Sequence, residues 1–151
     1  MVKNLQVNYT NSFNFSKIQI HELVNYLRNE LEFELNSLLI NFISSIEILE
    51  INVKYLGHNY FTDIITFNYS EQSNILDGEL YISYEEAENN AKKYRVPSKF
   101  EYFRLVIHGI LHLLGYDDQN KNAKLVMKRL ENNLLKKFLN QMKMSSKIND
   151  K

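Results

Sequence analysis

His108 and His112 stand four residues apart in the run RLVIHGILHLLGYDD. On a helix this spacing puts both imidazoles on one face, close enough to chelate a single ion. Gly115 follows, a residue able to take a left-handed conformation cheaply, end a helix and turn the chain back toward the face it has left. Asp118 would then complete a set of two nitrogens and one carboxylate. Three protein ligands with a fourth position left to water are the pattern of a catalytic rather than a structural zinc site. Asp117 is the alternative third ligand. The plain alternative to any metal is that both histidines are satisfied polar groups on an apolar helix, and the spacing alone does not choose. The chain has no cysteine, so disulfides and thiolate ligands are excluded.

The residue after His108 is Gly109, where zinc peptidases of the His-Glu-x-x-His type carry their general-base glutamate. Peptide hydrolysis by that route is therefore disfavoured. What remains is metal-assisted hydrolysis, in which an ion lowers the pKa of bound water and polarises the electrophile. A phosphodiester suits this chemistry, because charge gathers on its non-bridging oxygens. The apolar neighbours Ile107, Ile110, Leu111, Leu113 and Leu114 would give the site a dry wall.

Such a helix must be held by a folded body, and 151 residues with 44% apolar and 13% aromatic content suffice for one compact domain. The apolar runs fall short of the ~18 residues a membrane span needs, and the opening MVKNLQVNYT lacks a signal peptide's apolar stretch. A soluble cytoplasmic protein with no membrane partner is expected. Net charge is zero but unevenly divided: residues 1–90 carry four basic and 13 acidic side chains, residues 91–151 carry 14 basic and five acidic ones. An anionic polymer would favour the second half; ordinary solvated lysine faces are the other reading.

Four Ser-x-x-Glu/Gln signatures, at Ser16, Ser44, Ser83 and Ser98, mark helix starts, since the serine oxygen and the acid or amide satisfy orphan amides reciprocally. After Ser16, Ile20, Leu23, Val24, Leu27 and Leu31 keep helical spacing. LQVNY, Leu38 to Ile43, Asp63 to Phe67 and Glu79 to Ser83 read as strands, the last two as a pair with Asp77-Gly78 as turn. Ile46 to Leu56 satisfies both periods, and its capping box favours helix. Pro97 separates the helix after Ser83 from the one expected to run from Ser98 to Gly115. Leu125 to Leu139 fits a last helix, with residues 141–151 as a polar tail beyond a domain of residues 1–140. The sum is an α+β fold, a mixed sheet of about four strands with about five helices.

HGILHLLGYDD, residues 108–118, resembles the signature of the YbeY family, His-Gly-x-x-His-Leu-x-Gly-Tyr-Asp-His. INVKYLGHNYFTDIITF resembles the family's Leu-Asn-x-x-Tyr-Arg…Pro-Thr-Asp-Val-Leu-Ser-Phe stretch, and GELYIS its Gly-Asp-Ile-x-Ile-Ser strand. The similarity runs in order over residues 51–135 and makes Ile46 to Leu56 a helix. It implies a small α+β fold with a metzincin-like metal helix and one zinc ion. It also implies cleavage of single-stranded RNA in maturation of the 3′ end of small-subunit ribosomal RNA, and ribosome quality control. The implied partners are that RNA and the small ribosomal subunit, with a ribosomal protein or an assembly GTPase as further candidates.

Carried over by position, His108, His112 and Asp118 are the metal ligands, Asp118 standing where the family usually has a third histidine. Leu56 stands where the family usually has an arginine, removing a cation expected near the scissile phosphate. His58 is a candidate catalytic replacement, against a plain polar loop residue. Arg104, one turn before His108 on the same face, is a second candidate phosphate contact, against a solvent-facing arginine. Asp63, Thr66 and Glu79 are candidates for hydrogen bonds that orient the histidines. Two rivals remain beside the nuclease: an assembly factor with a structural zinc, and a hydrolase of another phosphoester or amide.

Overall fold

A computed structural model describes residues 1–149. Its order is β1 (Leu5–Tyr9), α1 (Lys17–Leu31), β2 (Glu34–Ile43), α2 (Ser45–Leu56), β3 (Ile64–Asn68), β4 (Ile75–Ser83), α3 (Tyr84–Tyr94), α4 (Ser98–Leu113) and α5 (Lys121–Asn149). The four strands form one sheet in the order β1-β2-β4-β3, parallel from β1 through β4, with β3 antiparallel on the edge. This is the expected α+β fold with four strands and five helices.

The sheet's alternation decides which face is covered. Leu38, Ile40 and Phe42 of β2 and Leu76, Leu80 and Ile82 of β4 are all fully buried and join the core formed with α1, α4 and α5. On the other face α2 covers only one end, where Ile43, Ile48 and Ile65 form a smaller cluster. The histidine helix α4 is thus sandwiched between sheet and α5, with Leu105, Val106, Ile107, Ile110 and Leu111 buried.

The capping serines hold in three places. Ser16 and Ser83 accept from the amides of Gln19 and Glu86, and Ser44 with Glu47 forms the complete reciprocal box. The fourth differs: Pro97 occupies the N-cap of α4 with no side-chain cap, and Ser98 is the first helical residue. Glu101, expected to close that box, is instead buried and paired with Arg104.

Asp77 and Gly78 are not a turn. They lie within β4, and the reversal from β3 falls at residues 69–74, where Ser70 accepts from the Gln72 amide. Gly78 is needed for space: a Cβ there would sit 2.5 Å from the Phe67 carbonyl oxygen and 3.0 Å from the Leu113 side chain. The missing side chain lets the end of α4 settle on the sheet. β2 also begins earlier than expected, at Glu34, because its polar start pairs with Ile75 and Leu76 of β4. Helix α5 continues as far as Asn149, through most of the stretch read as a tail; residues 150 and 151 lie outside the described residues.

Candidate metal centre

Gly109 fixes how closely the histidine helix approaches the strands. A Cβ at this position would meet the Leu80 side chain at 2.7 Å and Ile64 at 3.0 Å. A glutamate in the peptidase position would have nowhere to go, so the absence of that base has a packing cause. With Gly109 against the sheet, His108 turns toward Glu131 of α5, and both histidines are half-buried.

Helix α4 ends in a full Schellman motif: the Gly115 amide donates to the His112 carbonyl and the Tyr116 amide to the Leu111 carbonyl, both at 3.0 Å. Gly115 has φ +103°, a conformation that L side chains rarely adopt. The reversal brings the Asp118 carboxylate to 4.0 Å from His112 Nε2. Its neighbour Asp117 accepts from the Gln119 amide and braces the turn.

The Nε2 atoms of His108 and His112 face each other at 3.0 Å, and the donors of His108, His112 and Asp118 all lie within 4.8 Å of one another. Ligand atoms around a tetrahedral zinc ion with bonds of about 2.0–2.2 Å sit roughly 3.3–3.6 Å apart, so the cluster has the right scale. His108 Nδ1 is hydrogen-bonded to the Glu131 carboxylate of α5. That partner selects the tautomer with the proton on Nδ1 and leaves an Nε2 lone pair aimed into the cluster. Two nitrogens and a carboxylate oxygen suit zinc and also accept nickel, iron or manganese. The residues present fit a divalent cation.

The two imidazoles differ electrostatically. Burial pulls the His108 pKa down, but the hydrogen bond and charge of Glu131, aided by Asp63 and Asp118, outweigh it and raise the value. His112 is lowered, by burial first and by the neighbouring His108 second. Nearby, burial raises the Glu101 carboxyl, Arg104 opposes the shift, and Asp63 and Glu131 add to it.

Arg104 shares the cleft with His108, its Nε 3.3 Å from Glu101 Oε1 and its Nη1 hydrogen-bonded to Asn132 Oδ1. His58 lies in a different groove with Leu56, Thr62 and Thr66; it is exposed, and its Nδ1 is 3.0 Å from the Tyr60 hydroxyl. The candidates for orienting the histidines do not reach them. Asp63 accepts from Asn90 at 3.4 Å, Glu79 accepts from the hydroxyls of Tyr69 and Tyr81, and Thr66 lines the His58 groove. Glu131 takes that role and was missed. Its signal was present: it is the one acid among residues 121–149, on the same stripe as the buried Met127, Leu134, Leu135 and Phe138.

The family description Endoribonuclease YbeY matches residues 2–139. Relatives carrying that name include one from Chlorobium phaeobacteroides, 37% identical over 92% of this chain and 97% of its own length. One from Bacteroides fragilis is 45% identical over 62% of this chain and 67% of its own length. A solution structure of a Thermotoga maritima protein superposes with a TM-score of 0.64, covering 93% of each chain at 24% identity, a likeness of fold. On the matched sequence, carried on this shared architecture, the chain belongs to the YbeY family of endoribonucleases.

Proposed function

We propose that the protein is a metal-dependent endoribonuclease that cleaves single-stranded RNA in small-subunit ribosomal RNA maturation, in the cytoplasm. The observation that carries the chemistry is the facing pair of Nε2 atoms at 3.0 Å, with Asp118 folded back beside them and Glu131 behind. Family membership carries the choice of RNA. A divalent cation held by His108, His112 and Asp118, zinc by the character of the donors, supplies Lewis acidity: it acidifies water and offsets charge on the phosphodiester oxygens.

The chain's own residues do the remainder. Glu131 holds the proton on His108 Nδ1 and so keeps Nε2 as a donor of electrons. Arg104, fixed by Glu101 and Asn132, is the candidate phosphate contact. An extended strand along the β3 edge would meet the exposed rings of Tyr60 and Phe61, each 56% accessible, with His58 beside them. The test is cleavage of a labelled single-stranded RNA carrying the small-subunit 3′ end, compared with the same RNA in a duplex. Single-strand cleavage that stops on chelation and returns with zinc is expected; turnover unaffected by chelation, or none on any RNA, overturns the proposal.

Leu56 in place of the family arginine favours one second reading, an assembly factor whose metal is structural. In that case a metal-free but folded variant would still bind the small subunit and support its maturation.

A further inference from the structure

The cleft beside His108 extends well past the metal ligands. Its volume is about 420 Å³, within the ~300–1,000 Å³ range of small-ligand sites. One wall is α5, where Lys124, Met127, Lys128 and Glu131 fall on one face at three- and four-residue spacing. The facing wall is the end of α3, with Tyr94 60% exposed, followed by Val96.

The cleft's lining carries three acids, Glu101, Asp118 and Glu131, and three bases, Arg104, Lys124 and Lys128, of which only Glu101 and Arg104 are paired with one another. Glu131 is committed to His108 and Glu101 to the Arg104 Nε, and Asp118 stands beside His112. Lys124 and Lys128 have no ion-pair partner among the described residues, and Arg104 retains N–H donors after its bonds to Glu101 and Asn132. The Lys93 ammonium stands 5.5 Å from the centre of the Tyr94 ring and adds a cation at the rim. Glu101 and Glu131 are thus engaged and Asp118 faces the histidine pair, while the two lysines are left to the open cleft, whose lining also holds the apolar side chains of Tyr94, Val96 and Met127. Lysines free of ion pairs beside an exposed aromatic ring are the recognition elements for a nucleotide: phosphate on the ammonium groups, base on the ring.

We infer that this cleft is a subsite for one nucleotide of the bound strand, its phosphate on Lys124, Lys128 and Arg104 and its base against Tyr94. The assignment rests on the endoribonuclease reading for its choice of ligand. It adds that the strand next to the reacting phosphate leaves toward α5 and the end of α3. The basic second half of the chain thereby gains a specific use: two of its lysines replace, at a different place in the fold, the positive charge absent at Leu56.

The experiment measures binding of a phosphorothioate-linked single-stranded RNA decamer to the full metal-loaded chain by fluorescence anisotropy over a range of salt. The double variant Lys124→Ala, Lys128→Ala is expected to bind at least tenfold more weakly and to lose about 1.4 from its log–log salt slope, at ~0.7 per phosphate contact. Tyr94→Ala is expected to lose roughly tenfold and Tyr94→Phe to bind like the wild type, because stacking needs the ring and not the hydroxyl. Lys3→Ala, outside this cleft, is the control. All these side chains are exposed, and matched unfolding midpoints would show intact folds. Wild-type affinity in the double variant or in Tyr94→Ala overturns the subsite. Cleavage of unmodified RNA by the wild type is scored separately: no cleavage with the expected binding pattern defeats the nuclease reading alone, while cleavage with unchanged binding defeats the subsite alone.

Discussion

The Glu131 carboxylate is hydrogen-bonded to His108 Nδ1 across the α4–α5 interface, although 23 residues separate the two in sequence. The contact makes α5 part of the candidate metal centre. Removing such a support from a metal-bound histidine typically costs 10–100-fold in affinity. Glu131→Ala is therefore expected to weaken zinc binding by about that factor, and Glu131→Gln by less, since the amide oxygen can still accept the Nδ1 proton. Titration with a competing chelator checks both; wild-type affinity in Glu131→Ala would remove Glu131 from the site.

Gly78 and Gly109 make room for α4 in different ways, and their alanine variants should differ. At Gly78 the added Cβ meets a backbone oxygen at 2.5 Å, so strand or helix must shift; at Gly109 it meets the tips of Leu80 and Ile64. Overpacking costs ~1–3 kcal/mol, and Gly78→Ala should fall near or above the upper end, with Gly109→Ala lower. Urea unfolding measures the difference, and the reverse order would count against this packing.

Gly115→Ala tests the turn without the ligands. Nothing lies within 4 Å of the added Cβ, so its cost comes from φ +103° alone, about 1–3 kcal/mol of backbone strain. Relief of that strain would move Asp118 away from His112. Lower stability together with weaker metal binding is expected, read by urea unfolding and chelator competition.

The Ser44–Glu47 box gives a pH signature. Burial pushes the Glu47 carboxyl up, but bonds from the Ser44 amide and hydroxyl, Thr10 and Asn11 outweigh it and hold its pKa below the ordinary value. A depressed carboxylate stabilises the fold above its unfolded pKa, near ~4.3, and that contribution is lost as pH falls through the folded value. Glu47→Gln should thus cost about 1 kcal/mol at pH 7, with the gap to wild type closing below about pH 4. A gap that widens in acid would contradict the assignment.

How far the sequence disclosed this arrangement depended on whether the signal was local. His108, His112, Gly115 and Asp118 lie within one helix and its turn, where spacing and a left-handed glycine report geometry directly. The strands were found because β-branched runs are local too. Gly78 was misread because the residue it accommodates, Leu113, comes 35 positions later, and an aspartate–glycine pair has the same composition in a turn as in a crowded strand. Glu101 left its expected capping role for Arg104, again by packing. Glu131 was missed since its partner sits on another helix, yet one acid on an apolar stripe marks a buried polar contact.

The metal-dependent cleavage is tested most simply by elemental analysis of the purified protein and its His112→Ala variant, with both assayed on the single-stranded 3′-end RNA. The arrangement of His108, His112 and Asp118 predicts about one zinc or similar divalent ion per chain in the wild type, with metal and cleavage lost together in a variant that remains folded. A variant that keeps both, or a folded wild type that binds no divalent ion, would contradict it.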